Sequence, residues 1–213
     1  MRNSKKTVIL SSGSHAKSLL FLLKEIGENV VGCIDPIRPS SDVWLEHKVK
    51  WLGDDQFLKE LDPSEYQLVN GMGSIGSTNL RKKLFDEAKK MGFFFPPLIH
   101  PSVLLSGDVL PSEGVQIMAG AILQSGVSIK DNSIVNTGCI IDHDTDIGRH
   151  VHLAPGVCVA GDVRIECGVH VGIGATIIQG IKVGKQAVIG AGAVVINNVE
   201  PRETVSGVPA KPH

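Results

Sequence analysis

The chain has 213 residues, enough for one large domain or two small ones. Its 21 Lys and Arg residues against 22 Asp and Glu residues give a formal net charge of -1, so no basic excess favours general binding of nucleic acid. Hydrophobic residues make up 42% of the chain, which is typical of a globular protein rather than a disordered one. Because no apolar run is long enough to span a membrane and no signal peptide is recognisable, we expect a cytoplasmic protein.

The first half of the chain, residues 1–102, alternates strand-like and helix-like patterns. Short apolar runs at 8–10, 30–34 and 67–69 each lead into turn residues and predict strands. Helical spacing covers 16–26 and 80–91, and in the second of these helices we place Arg81 on the solvent side with its lysine neighbours. This order predicts a small, Rossmann-like parallel sheet of the doubly wound type.

A serine-rich turn follows the first predicted strand, and Asp35 ends the second. Ser12, Gly13, Ser14 and His15 precede a helix, where backbone N–H groups can bind phosphate. Asp35 follows about 20 residues after the turn, where an acidic side chain can bind a ribose hydroxyl. The turn lacks the first glycine of the G-x-G-x-x-G fingerprint, so a purely structural turn is the alternative.

From residue 103 onward the chain is a six-residue repeat. In fifteen blocks counted from Val109, the third position is Leu, Ile or Val in fourteen, and the sixth is Gly, Asn or Asp in thirteen. Positions one and three would point inward on a short strand, position two outward, and position six would form a corner with positive φ. Three such sides close an 18-residue triangular coil, so residues 18 apart should stack at the strand spacing.

Histidines on this predicted solenoid are the candidate catalytic groups. His143 is followed directly by Asp144, and an imidazole with a carboxylate partner suits a general base, although a surface histidine without a task is the alternative. His152 and His170 occupy outward positions 18 residues apart and should stack. His143 and His152 are half a coil apart, so they should lie on opposite sides of the prism. They can share a site only between adjacent prisms, which predicts a trimer.

Four segments carry a family resemblance that extends over essentially the whole chain: L-I-H-P-S at 98–102, I-D-H-D-T-D-I-G at 141–148, H-V-H-L-A-P-G at 150–156 and V-S-G-V-P-A-K at 205–211. They resemble the hexapeptide-repeat family of sialic acid O-acetyltransferases and sugar-nucleotide N-acetyltransferases. The resemblance implies a left-handed parallel β-helix at 103–213, ending in a C-terminal tail. It also implies a nucleotide-sugar-binding domain at 1–102, acetyl-CoA as co-substrate, and a homotrimer with active sites between subunits. We expect no metal.

The resemblance also implies residue roles. His143 would be the general base, Asp144 would raise its basicity, and His152 would contact acetyl-CoA. The coenzyme groove would be lined, largely through backbone groups, at Gly161, Ile173 and Ala191. The nucleotide sugar would be bound at Ser12, Gly13, Ser14, His15, Asp35, Pro36 and Gly73.

Taken together, these features predict an acetyl-CoA-dependent N-acetyltransferase acting on a UDP- or GDP-linked 4-amino-4,6-dideoxy sugar for surface glycan biosynthesis. An O-acetyltransferase acting on sialic acid or another sugar is the alternative enzyme, and a structural solenoid that binds a partner is the non-enzymatic alternative. A zinc-dependent carbonic anhydrase on the same fold is disfavoured because the sequence has no H-x4-H pair. The four cysteines form no C-x-x-C pair and predict free thiols.

Overall fold

The computed structural model describes residues 5–40 and 42–213. The chain divides into two compact units. The first contains the described residues up to Gly73 together with Lys83–Pro96. The second contains Ser74–Lys82 and Pro97–His213. The segment 74–82 therefore belongs with the solenoid, although it lies in the half of the sequence with the strand and helix patterns.

A four-stranded parallel sheet in the order β3-β2-β1-β4 forms the centre of the first unit. The sequence predicted three of these strands but missed β3, because its half-exposed residues show no apolar run. The strands are Lys6–Leu10 (β1), Val30–Ile34 (β2), Lys50–Gly53 (β3) and Tyr66–Asn70 (β4).

Within residues 5–40 and 42–213, three α-helices and one 3-10 helix connect these strands and the solenoid. The first α-helix buries an apolar face of alanine and leucine, as its spacing predicted. It begins after Gly13, which has an extended backbone. Because glycine has no side chain, it provides no cap for the first N–H groups of the helix. The helices are Ser14–Glu25 (α1), Asp42–Glu46 (α2), the 3-10 helix Asp55–Glu60, and Asn79–Lys90 (α3). None of the described helices is long and apolar enough to cross a membrane.

Arg81 in the first turn of α3 corrects the sequence-based placement of this side chain in solvent. It is only 1% exposed, and its Nε donates to the backbone carbonyl of Asn132 at 3.2 Å. Asn132 lies at a corner of the solenoid, so a tertiary contact inside the second unit buries the guanidinium. Helical periodicity groups charged residues on one face, but it cannot reveal which of them a neighbouring element will cover.

The second unit is a left-handed parallel β-helix with three faces of two-residue strands. Parallel strand partners are 18 residues apart, as in the pairing of Ile134 with His152, except at the C-terminal end, where Val188 pairs with Thr204. The predicted coil length is therefore confirmed. Face 1 contains Leu98–Ile99 (β5), Gln116–Ile117 (β7), Ile134–Val135 (β10), His152–Leu153 (β13), His170–Val171 (β16), Val188–Ile189 (β19), Thr204–Ser206 (β21) and the antiparallel Lys211–Pro212 (β22). Face 2 contains Leu104–Leu105 (β6), Ile122–Leu123 (β8), Ile140–Ile141 (β11), Cys158–Val159 (β14), Thr176–Ile177 (β17) and Val194–Val195 (β20). Face 3 contains Ser128–Ile129 (β9), Asp146–Ile147 (β12), Arg164–Ile165 (β15) and Lys182–Val183 (β18).

The corners of the coil lie where the sixth repeat position was predicted to form them. Corner positions without glycine also have positive φ in the middle of the solenoid, as at Asn132 (57°), Asp144 (56°) and His150 (58°). One expected strand is missing, in the block that contains Pro111. Proline has no N–H to donate to the ladder, so this side of the first coil stays irregular.

The three faces carry different side chains at their outward positions. Face 3 is charged, with Arg164 3.9 Å from Asp146 and Lys182 3.0 Å from Glu166. Face 2 is mostly apolar and partly exposed, with Leu104 65% and Ile140 43% exposed. On face 1 the middle of the ladder is buried. The same backbone repeat therefore presents one charged, one apolar and one covered surface.

Candidate active site

His143 lies in the turn after β11, at the corner between face 2 and face 3. Its backbone N–H donates to Asp142 Oδ1 at 2.8 Å, and the positive φ of Asp144 turns the chain directly after it. The Asp144 carboxylate then folds back, so that its Oδ2 lies 2.9 Å from His143 Nδ1. With 51% of the His143 side chain exposed, the imidazole is fixed by its neighbour but open to a ligand.

The surroundings of His143 favour its protonated form. The hydrogen bond with Asp144 is the largest cause of a raised pKa, and the charges of Asp142 and Asp162 act in the same direction. An Nδ1–H that donates to Asp144 leaves the lone pair of the neutral ring on Nε2, and no described residue hydrogen-bonds this nitrogen. The arrangement can therefore accept a proton at Nε2 and stabilise the resulting imidazolium.

Gly161 lies one coil beyond His143, against the ring. The two coils are joined by the N–H of Asp162, which donates to the carbonyl of His143 at 3.0 Å. A Cβ at position 161 would lie 2.6 Å from His143 Nε2, well inside van der Waals contact. A glycine is therefore needed here for close approach of the imidazole, in addition to the predicted backbone role in a coenzyme groove.

We expect Asp144→Asn to shift the acid limb of the pH profile of kcat/KM toward lower pH. A general base works only when deprotonated, and Asp144 holds the pKa of His143 above the ordinary histidine value of about 6.5. Removing the carboxylate lowers that pKa, so activity appears at lower pH while the plateau rate falls. Asparagine also tolerates the positive φ of this corner.

Asp162→Asn is the matched control for the Asp144 prediction. Asp162 occupies the same corner position one coil on, also with φ of 56°, but its carboxylate acts on the His143 imidazole only through space. Its substitution should move the acid limb less than Asp144→Asn does. An Asp144→Asn profile that superposes on the wild-type profile would contradict the assigned pairing.

His152 points outward from face 1, yet it is only 6% exposed. Its Nδ1 lies 2.5 Å from Ser74 Oγ, and its Nε2 lies 3.4 Å from Asn136 Nδ2. His170 stacks on it as predicted, with ring centroids 5.2 Å apart and planes at 84°. Burial lowers the pKa of His170, so this second ring stays neutral beside His152.

The other solenoid residues that were predicted to line the coenzyme groove lie at a different corner. Ile173 and Ala191 stack at the corner between face 1 and face 2, joined by the N–H of Gly192, which donates to the carbonyl of Ile173 at 2.8 Å. Both side chains are exposed. Within one chain, His143 and Gly161 thus share one corner, Ile173 and Ala191 another, and His152 lies on face 1.

In the first unit, the serine-rich turn is tied to the end of β2. The Ser12 N–H and hydroxyl both donate to Asp35 Oδ2, at 2.7 and 2.9 Å. The N–H of Ile37 donates to the other carboxylate oxygen at 2.9 Å. Asp35 therefore holds the turn closed through contacts that the sequence did not reveal. The ribose contact predicted for this carboxylate stays a prediction.

The other predicted substrate-binding residues surround the same turn. A Cβ at Gly73 would lie 3.2 Å from the His15 Cβ, so the end of β4 closely approaches the start of α1. Gly13 and Ser14 form the beginning of α1, which has no side-chain cap, and the Gly13 N–H donates only a long bond of 3.3 Å to Ser11 Oγ. Backbone N–H groups at such a helix start can bind phosphate. Pro36 follows Asp35 directly after β2.

A cavity of about 620 Å³ opens beside Asp35, and the sequence analysis did not predict it. Trp51 lines it with a ring that is fixed by donation from Nε1 to the Asp35 carbonyl at 3.0 Å. The Arg38 guanidinium lies 5.9 Å from the centroid of that ring, and Lys48 and Lys50 also line the space. The described lining residues offer an aromatic face, three cations and no acidic side chain, so the cavity suits a planar, anionic ligand.

Ser74 and Asn136 are the other polar residues that sequence reasoning missed. Asn136 carried a weak signal, because it precedes His152 by nearly one full coil and should lie beside it. Ser74 carried none, because its contact joins residues 78 positions apart. Among the described residues, no cluster of three or more His, Cys, Asp or Glu side chains could hold a metal ion.

The chain is similar to a family model and to several solved structures. A family model of the PglD N-terminal domain matches residues 6–88. PerB from Caulobacter crescentus, solved with CoA and GDP-perosamine, is 34% identical with a TM-score of 0.88, over 98% of this chain and 97% of that one. The acetyltransferase domain of PglB from Neisseria gonorrhoeae, solved with acetyl coenzyme A, is 30% identical with a TM-score of 0.89, over 99% and 100%. WeeI from Acinetobacter baumannii, 22% identical with a TM-score of 0.85 over 99% and 100%, supports the fold alone.

Proposed function

Because the chain belongs to the family of acetyl-CoA-dependent sugar N-acetyltransferases that includes PerB and the acetyltransferase domain of PglB, we propose that it acetylates the amine of a nucleotide-linked 4-amino-4,6-dideoxy sugar. The observation that carries the proposal is the His143–Asp144 pair at an exposed corner of the β-helix. The PerB complex with GDP-perosamine supports a GDP-linked sugar as the first substrate to test, with the UDP-linked sugars as the second.

His143 acts as general base in the proposed reaction. Its Nε2 takes a proton from the sugar amine as the nitrogen attacks the thioester carbonyl, and Asp144 stabilises the imidazolium that forms. The C–N bond forms, the tetrahedral oxyanion collapses, the C–S bond breaks, and CoA leaves as the thiol after protonation. No acyl-enzyme is required, and His152, Gly161, Ile173 and Ala191 are assigned to the coenzyme.

The first unit binds the nucleotide in this proposal. The N–H groups at Gly13 and Ser14 bind phosphate together with the side chain of His15, and Ser12 fixes the turn through its two bonds to Asp35. Asp35 lies at the ribose position, flanked by Pro36 and Gly73. The cavity beside Asp35 supports this assignment, since Trp51 offers a stacking surface for the base and Arg38 offers positive charge. The cavity also adds Trp51 and Arg38 to the residues that were predicted to bind the nucleotide sugar.

Tryptophan fluorescence should report nucleotide binding directly. The chain has two tryptophans, and both Trp44 and Trp51 line the cavity beside Asp35. Titration with GDP or UDP should change the emission, and Trp51→Phe should remove most of that change. His143→Ala serves as the control and should respond like the wild type. Nucleotide binding detected by calorimetry without any change in emission would exclude this cavity as the base site.

A trimer is the assembly that the solenoid supports best. His143 lies at the corner between face 2 and face 3, whereas His152 lies on face 1, so they are on different sides of the prism in one chain. A site between neighbouring chains is the arrangement that would bring them to one ligand. Face 2 exposes an apolar ladder that includes Leu104 and Ile140, and burying such a surface favours association. Closed threefold symmetry would place face 2 of one subunit against its neighbour.

Mixing two inactive variants should restore activity if the site is shared. In a random one-to-one mixture of His143→Ala and His152→Ala chains, about a quarter of the interfaces would pair an intact His143 with an intact His152 from its neighbour. The mixture, after subunit exchange, should regain thiol release toward that fraction of wild type. The double variant mixed with either single variant should stay inactive. If the subunits exchange but activity does not return, both histidines act in a site within a single chain.

Product analysis distinguishes N-acetylation from the alternative O-acetylation. The proposed product is an amide, which survives mild base, whereas an ester loses its acetyl group. Mass spectrometry of the nucleotide sugar before and after base treatment should therefore show a stable gain of one acetyl group. A base-labile product would establish an O-acetyltransferase. The family relationship argues against the non-enzymatic alternative, a purely structural solenoid, because the relatives were solved in complex with CoA or acetyl coenzyme A.

A further inference from the structure

Ser74 contacts the imidazole of His152 from a segment outside the repeat. This serine follows β4 in sequence but belongs to the same compact unit as the β-helix. Its hydroxyl oxygen lies 2.5 Å from His152 Nδ1, so the two groups share a short hydrogen bond. His152 is buried, whereas Ser74 is only half-buried, so the serine presents more of its surface to a ligand than His152 does.

Asn136 determines which nitrogen of His152 carries the proton. The Asn136 Oδ1 accepts from the backbone N–H of Thr137 at 2.8 Å, which fixes the orientation of the amide. Its NH2 group therefore faces His152 and donates to Nε2 at 3.4 Å. A neutral imidazole that accepts at Nε2 must be protonated at Nδ1, so Nδ1–H donates to Ser74 Oγ.

This proton arrangement decides what the Ser74 hydroxyl can do. Its oxygen already accepts from His152 Nδ1–H, so its own O–H is free to donate to a ligand. The same arrangement argues against a nucleophilic serine, because His152 presents no lone pair to Ser74 that could remove its proton. An O–H whose oxygen accepts a hydrogen bond is polarised and becomes a better donor.

We propose that Ser74 donates a hydrogen bond to the acyl oxygen of the thioester, with His152 as the positioning residue that polarises it. This inference rests on the proposed acetyl transfer and its shared site. In that reaction the acyl oxygen gains negative charge as the amine attacks, so a fixed donor stabilises the transition state more than the ground state. Ser74 is then a catalytic residue that the β-helix repeat does not supply.

Kinetics of three variants test the hydroxyl itself. Ser74→Ala should lower kcat about 10- to 100-fold with little change in the KM for acetyl-CoA, less than the loss of a fully enclosed oxyanion donor because Ser74 is half-buried. Ser74→Thr keeps the hydroxyl and should retain most of the activity, whereas Ser74→Val has the shape of threonine without it and should match Ser74→Ala. A Ser74→Ala variant with normal kcat, or equal losses for Thr and Val, would overturn the proposal.

A measurement on the free protein keeps the inference separate from the proposed function. Nitrogen-15 NMR should show His152 protonated at Nδ1, using a spectrum of His152→Gln to identify its resonances. Rapid-quench mass spectrometry with acetyl-CoA should show no acetyl group on Ser74. A His152 protonated at Nε2, or an acetylated Ser74, would refute the donor role. If the wild type acetylates no amino sugar, the proposed function fails, and the NMR result still decides the hydrogen-bond arrangement.

Discussion

His143→Ala is expected to lower kcat by about 10²–10⁴-fold, the usual contribution of a general base, while acetyl-CoA still binds. The side chain is half-exposed and contacts mainly Asp144, so its removal leaves the core of the β-helix intact. The loss should therefore appear in kcat rather than in folding. Steady-state kinetics test the loss of kcat, and calorimetry tests whether acetyl-CoA still binds.

A matched histidine controls for general effects of the substitution. His213→Ala removes another exposed imidazole from the same unit, one that contacts Ser206 rather than an acidic group. It should leave kcat near the wild-type value, and both variants should unfold at temperatures close to wild type. A His143→Ala enzyme that retains near-normal kcat would remove His143 from the mechanism.

Gly161→Ala should lower kcat by about 100-fold with little loss of stability. The new methyl group would lie 2.6 Å from His143 Nε2, so the imidazole must rotate away from its bond with Asp144. A displaced catalytic group of this kind costs about 10²-fold in rate. Because the clash is with the end of a side chain and Gly161 does not have a positive φ, the backbone can accept alanine.

Gly107→Ala provides the control for the Gly161 substitution. Gly107 also lies in the second unit without a positive φ, and a Cβ there would meet nothing within 4 Å. Its substitution should leave both kcat and the unfolding temperature unchanged. NMR titration of His143 should show a lower pKa in Gly161→Ala but not in Gly107→Ala. Normal kcat in Gly161→Ala would mean that the ring position observed here is not the catalytic one.

The solenoid was predictable because its information is local and repeated. Inward positions such as Ile141 and Leu153 recur with the coil, and each corner requires a residue that tolerates positive φ. The same regularity predicted the stacking of His152 on His170. It failed at Pro111, where the loss of one N–H matters more than the apolar pattern.

Contacts between residues that are distant in the chain could not be predicted from the sequence. Neither the burial of Arg81 nor the contact of Ser74 with His152 follows from the period of its own segment, because both depend on segment 74–82 lying on the solenoid. The outward position of His152 was predicted correctly, but outward did not mean exposed. The cavity at Trp51 depended on β3, a strand with no apolar signal.

Thiol release from acetyl-CoA tests the central claim most directly. The wild-type protein should release CoA thiol only when a nucleotide-linked 4-amino-4,6-dideoxy sugar is present, with one acetylated sugar formed for each thiol released. GDP- and UDP-linked amino sugars should be compared with the corresponding sugars that carry a hydroxyl in place of the amine. Release that depends on the amine is the result expected for an N-acetyltransferase. No release with any amino or hydroxy sugar would contradict the account.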